Sequence, residues 1–115
     1  MSNLAVAAYD SRHQSTGAKF MAYIRISIVK PRQGQDEKVE ELMRKINDFA
    51  SKSSGCREVF MLRPHDESGE IARMAIYDDE DSAEAAANSQ TVLALRSQLH
   101  LLVEPGHIER AFFTE

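Results

Sequence analysis

Two runs of alternating character, Cys56 to Arg63 (CREVFMLR) and Glu70 to Tyr77 (EIARMAIY), flank a short polar segment and constrain this chain more than any other feature. A period of two is that of a β-strand, whose successive side chains point to opposite faces. In the first run Cys56, Glu58, Phe60 and Leu62 alternate with Arg57, Val59, Met61 and Arg63; in the second Ala72, Met74 and Ile76 alternate with Ile71, Arg73, Ala75 and Tyr77. Pro64 ends the first run, and Asp66, Ser68 and Gly69 supply turn chemistry, so an antiparallel hairpin is predicted. The acidic run Asp78, Asp79, Glu80, Asp81 follows at once. Carboxylates suit a helix N-terminus, where backbone N–H groups lack partners, so Asp79 or Asp81 is expected to cap a helix beginning at Ala83, Glu84 and Ala85.

The hairpin needs further strands, because two alone are marginal in water. Met21 to Lys30 (MAYIRISIVK) is the clearest of them, with Ala22, Ile24, Ile26 and Ile28 on one face, Tyr23, Arg25, Ser27 and Val29 on the other, and Pro31 as its stop. From about Asp36 to Lys52 the apolar positions Val39, Leu42, Met43, Ile46, Phe49 and Ala50 recur with helical spacing, and Ser54-Gly55 ends that helix. Beyond the hairpin, Ala83, Ala86 and Ala87 give a small-residue helical face, Asn88-Ser89 interrupts, and Val92, Leu95, Leu99 and Leu102 renew a stripe. Two consecutive helices or one kinked helix are expected there. Pro105-Gly106 terminates them, and His107 to Thr114 (HIERAFFT) alternates as a last strand. Residues 1–20 keep no sustained period and read as a tail or arm, so a chain beginning at Met21 is expected to fold and pair normally.

Strand, helix, strand, strand, helix, strand is two split βαβ units, which right-handed crossovers fold into a four-stranded antiparallel sheet with the helices on one side. The fold class is therefore α+β, ferredoxin-like, with the domain spanning 21–115. The sheet face carrying Tyr23, Val29 and Phe112 is expected to lie away from the helices; it is too apolar to be left to water, and a second copy of the chain would cover it. Arg25, Arg73 and Arg110 are placed together on one face, either paired across the dimer with Glu58, Glu70 or Glu109 or forming an anion site.

Composition narrows function. At 115 residues with 43% hydrophobic content the chain suits one domain. Its 14 basic and 18 acidic side chains are well mixed, for a net charge of -4, which leaves no single-sign face for nucleic acid or an anionic membrane. The single Cys56, without Cys and His pairs at ligand spacing, argues for a reducing cytoplasmic setting and against structural zinc. No apolar run reaches membrane-spanning length, and LAVAAY is too short for a signal-peptide core.

The strand and turn MAYIRISIVKPRQGQDEKVEELM, the Gly55-Cys56 pair before strand two, and the strand end with its acidic helix cap (IYDDEDSAEAAANSQTVLALRSQL) resemble the antibiotic-biosynthesis monooxygenase family over about Met21 to Phe113. The resemblance implies a homodimeric α/β barrel, sheets face to face, with a cavity between each sheet and its helices. It implies oxygenation of quinols or phenolic polyketides without flavin or metal, hence no cofactor; a related branch degrades haem. Against many members, Tyr77 stands where Trp ends the third strand, and the second-helix histidines fall near Ala86 and Thr91. The chain has no Trp and no Asn in strand one, and Arg96 falls near the haem-ligating position, so haem degradation is disfavoured.

Candidate catalytic residues are Tyr77, Arg96 and His100. A phenol and a guanidinium beside one cavity would bind a phenolic substrate and stabilise its anion, and His100, one turn beyond Arg96, would remove the phenolic proton. The competing account is a Tyr closing the sheet end, a surface Arg paired with an acid, and a solvent-facing His. Cys56 reads as a small buried thiol, and His13, His65 and His107 receive no role. Two function classes follow: a cofactor-independent monooxygenase for a small quinol or phenol, or a non-catalytic dimeric barrel that binds a small aromatic or lipophilic ligand.

Overall fold

β-Branched residues at alternate positions make Tyr23–Val29 the first strand, β1. A computed structural model describes residues 21–115 of the chain, so the arm expected at 1–20 lies outside the described residues. β1 is followed by helix α1 (Asp36–Ser51), the hairpin strands β2 (Cys56–Leu62) and β3 (Ile71–Tyr77), two helices α2 (Glu80–Ala87) and α3 (Gln90–His100), and strand β4 (Ile108–Phe113). All pairings are antiparallel, in the order β2-β3-β1-β4. This is the ferredoxin-like arrangement expected from the element order, with β1 and β3 central.

Caps and turns explain the boundaries. The Asp79 carboxylate accepts from the Ser82 N–H at 2.8 Å and opens α2. Ser89, in extended conformation, ends the first of the two helices and starts the second by accepting from the Val92 N–H at 3.2 Å. Two helices, rather than one kinked helix, are thus the outcome of Asn88-Ser89. The turn at Gly55 carries φ of +83°, and a Cβ there would lie 2.1 Å from Ser82 Oγ. Glycine lets α2 rest on this turn, where the Gly55 carbonyl accepts from the Asp78 N–H at 2.7 Å. After α3, Arg32 N donates to the Leu102 carbonyl and Glu104 N to the Lys30 carbonyl, which ties the segment before β4 to the end of β1.

The sheet faces differ from expectation. Tyr23, Ser27 and Val29 are buried under the helices, whereas Ile24, Ile26 and Ile28 stand on the uncovered face beside Met74, Ile76, Phe60 and Phe112. The outward-facing set is the isoleucine set, and only Phe112 of the three residues expected there is on it. Alternation identifies two faces but cannot say which the helices cover; that follows from which neighbouring strand each N–H and C=O addresses, a register choice invisible in a period of two. Phe112 pairs with Ile24, and Arg110 with Ile26, so Arg110 leaves the face shared by Arg25 and Arg73. A register shift between Cys56 and Glu58 places Cys56 opposite Tyr77 on the helix side, apart from Glu58, Phe60 and Leu62.

Two clusters fill the space beneath the helices. Val29, Val39, Leu42, Met43, Ile46, Val92, Leu99 and Val103 form one; Tyr23, Ala75, Tyr77, Ala83 and Ala86 form the other. Among the described residues no helix is long and apolar enough to cross a membrane.

Candidate functional site

The second cluster is built of small side chains, and a cavity opens where they meet the first. The strands contribute Arg25 from β1 and Arg73 and Tyr77 from β3; α1 contributes Ile46 and Ala50, α2 contributes Ala83, Ala86 and Ala87, and α3 contributes Val92. Its volume is about 20 Å³, room for about one water molecule. Register explains the space. Arg25 lies between Ala75 and Ala111 in one cross-strand row, and Ser27 lies between Arg73 and Glu109 in the next. Methyl and hydroxymethyl groups in those rows leave room that branched side chains would occupy. The first row continues the cavity floor toward β4, whose residues are all exposed.

Electrostatics divide the arginines. Arg25 is ion-paired with Glu84 and lies 5.6 Å from the centre of the Tyr23 ring. Arg96 donates from Nη2 to Glu109 Oε2 at 3.4 Å. Arg73 touches no carboxylate: its Nη1 donates to Oδ1 of Asn47 at 3.0 Å, and Asn47 Nδ2 donates in turn to the Phe60 carbonyl at 3.0 Å. Burial lowers the proton affinity of Arg73 from its ordinary value, but a guanidinium stays charged at any pH a protein meets. Tyr77 is 4% exposed, and burial pushes its phenol up, against the pull of Arg73 and Arg25. It is therefore a neutral hydrogen-bond donor near pH 7. Burial likewise raises the Cys56 thiol, so Cys56 is not a thiolate nucleophile.

Of the three residues singled out from sequence, Tyr77 lines the cavity, and Arg96 and His100 do not. Arg96 is held by Glu109, and His100 lies against His107, a neighbour of the same carboxylate. His100 is exposed, and its ring stacks on that of His107 at 5.0 Å between centroids, while His107 Nε2 lies 4.0 Å from the carboxylate that holds Arg96. Within the single chain Arg25 is paired with Glu84, and Arg73 with Asn47. Asn47 escaped notice, although it left a signal: it occupies the i+8 place of the buried stripe Val39, Leu42, Met43, Ile46, Ala50, where a polar residue needs a reason. Among the described residues no group of three or more His, Cys, Asp or Glu side chains is arranged to hold a metal ion.

A ferredoxin-like sheet with a polar-ended cavity beneath its helices matches one family in sequence as well. Residues 21–98 match the profile of antibiotic biosynthesis monooxygenase, and the chain belongs to that family. No curated protein matches the sequence. Solved structures share the fold at low identity. SnoaB, a cofactor-independent oxygenase from Streptomyces nogalater, is 16% identical with a TM-score of 0.69, covering 83% of this chain and 93% of that one. A putative antibiotic biosynthesis monooxygenase from Nitrosomonas europaea is 14% identical with a TM-score of 0.74, covering 81% and 89%. Rv0793 from Mycobacterium tuberculosis is 18% identical with a TM-score of 0.73, covering 79% and 92%.

Proposed function

We propose that the protein is a cytoplasmic, cofactor-independent monooxygenase that oxidises a small quinol or phenolic, polyketide-like substrate with O2. The observation that carries this reading is the placement of Arg73, a partly buried cation in contact with no carboxylate, beside the neutral phenol of Tyr77 in one small cavity. A phenol reacts with O2 through its anion, and fixed positive charge in a dry site stabilises that anion far better than water-exposed charge does. Tyr77 donates a hydrogen bond to the phenolate, and the charge of Arg73 makes the potential of the site positive. In this reading Arg96, ion-paired with Glu109, and the exposed His100, against His107, act from outside the cavity, His100 taking up the phenolic proton.

The chemistry balances without a cofactor. The phenolate gives one electron to O2, and the ring radical and superoxide join in a carbon–oxygen bond at a free ring position. The peroxide takes up a proton, and loss of the ring hydrogen breaks the oxygen–oxygen bond, leaving a quinone and one water.

A cavity of about 20 Å³ has to widen for an aromatic ring. The short, alanine-lined α2 and the uncovered floor toward β4 are where it can. The competing reading, a barrel that binds a small aromatic or lipophilic ligand without turnover, is favoured by Ala86 and Thr91 standing where many family members carry second-helix histidines. Oxygen uptake with a panel of hydroquinones and naphthols, without added flavin, metal or haem, separates the two. Uptake with one O2 consumed per quinone formed, falling at least tenfold in Arg73→Met, is the expected result; no uptake above buffer leaves the binding module.

The uncovered sheet face with Ile24, Ile26, Ile28, Met74, Ile76 and Phe112 is the surface on which a second copy packs in this reading. Phe112 is 52% exposed in the single chain. Light scattering at micromolar concentration is expected to give the mass of two chains, and a monomer would remove the dimer.

A further inference from the structure

We propose that Arg73 marks an anion subsite, that the substrate carries one fixed negative charge on an aromatic ring, as in a hydroxylated aromatic carboxylate, and that Asn47 is the residue that aims Arg73 at it. This rests on the site described above and adds the class of molecule it selects. The charges around the cavity do not cancel. Arg25 is matched by Glu84 and Arg96 by Glu109, and Arg73 is left with an uncharged amide as its only hydrogen-bond partner among the described residues. Three cations against two anions leave one positive charge, which a monoanion neutralises. A phosphate dianion would overshoot.

Asn47 does what no other side chain of its size does there. It is 5% exposed, and its amide orientation is fixed by both partners, since Nδ2 must face the Phe60 carbonyl and Oδ1 the guanidinium. An Asp would hold Arg73 as firmly but would cancel the charge that the ligand needs. A Leu would fill the helix stripe but leave Arg73 unaimed. No side-chain nitrogen or oxygen among the described residues is both fully buried and without a partner, so the other Arg73 nitrogens, which have none, open onto accessible space. A guanidinium edge offers two parallel N–H groups, the match for a carboxylate. The walls opposite are Ala83, Ala86 and Val92, suited to an apolar ring.

Calorimetric titration of the full-length protein with 1-hydroxy-2-naphthoate and with 1-naphthol at low salt tests this. The acid is expected to bind at least tenfold more tightly than the naphthol. That ratio should fall to about one in Arg73→Met and in Asn47→Asp, and drop severalfold in Asn47→Leu, with the larger loss on the acid in every variant that melts cooperatively. A purely structural role for Asn47 would weaken both ligands alike and leave the ratio intact. Equal binding of the two compounds to the native protein, a preference that survives Arg73→Met, or no binding of either overturns the proposal. Preferential binding of the acid with no oxygen uptake would leave the anion subsite standing and remove the oxygenase reading. Oxygen uptake equally fast on both compounds would do the reverse.

Discussion

The two clusters beneath the helices are built from different materials, and the difference separates what holds the fold from what the fold holds. One is filled with branched and long aliphatic side chains, Leu42, Met43, Ile46 and Val39 among them, all 1% exposed or less. The other consists of tyrosines and alanines at the far ends of β1 and β3 and along α2, with Arg25 and Arg73 beside it. Interiors of the first kind pack to crystal density and leave no room for a ligand. Methyl groups opposite phenols cannot close the gap between sheet and helix, so the second end keeps both space and uncompensated charge. α1 serves both ends: its buried stripe runs from Val39 in the tight cluster to Ile46 and Ala50 at the cavity, with Asn47 holding Arg73.

The largest expected effect breaks the tight end alone. Leu42→Ala removes a side chain that is 1% exposed in the middle of the first cluster, and should cost about 3–5 kcal/mol in urea unfolding at fixed protein concentration. Binding of an aromatic ligand per folded molecule should not change, because Leu42 does not line the cavity. If affinity falls with stability, the two clusters act as one and the division is wrong.

A smaller effect sharpens the other end. Ala86→Leu puts an isobutyl group where the cavity wall now has a methyl, 5% exposed. Overpacking should cost about 1–2 kcal/mol, much less than the Leu42 change. Ligand affinity, by contrast, should fall more than tenfold. Wild-type affinity in this variant would move the site away from α2.

The tight end was legible from sequence because a stripe recurring every three to four residues has one structural meaning, and the element order follows from the periods and the Gly and Pro stops. The cavity end was not. Tyr77 was legible as a strand-ending aromatic before an acidic cap. Asn47 and Arg73 were visible as residues and invisible as a pair, since they are 26 positions apart and meet only through the register of β2 with β3. The same holds for Arg96 and Glu109, 13 apart, brought together when β4 returns beside β1. The assignment of the isoleucine face to the helices failed for a related reason: in β1 both faces are apolar enough to be buried, so hydrophobicity did not discriminate, and hydrogen-bond direction decided. Local pattern specifies elements; side-chain chemistry between elements depends on register.

The smallest expected effect concerns Tyr77, where the two clusters differ in how they respond to pH. Burial raises the Tyr77 phenol above its ordinary value near 10, so the folded state holds this proton more tightly than the unfolded chain does. The associated stability is fully present below about pH 10 and is lost as pH rises through the folded value. Nothing in the aliphatic cluster titrates there. Near pH 7, Tyr77→Phe should change stability by less than about 1 kcal/mol, since ring burial is kept and only a hydroxyl is lost. Above about pH 10 the native protein should lose stability more steeply than the variant, so that melting temperatures converge or cross. Cys56, opposite Tyr77 and also raised by burial, contributes to the same alkaline fall, so the comparison is best made in a Cys56→Ala background. Parallel melting curves from pH 7 to 11 would show that the Tyr77 hydroxyl reaches water freely, and would remove it as the buried donor that the proposed phenolate site requires.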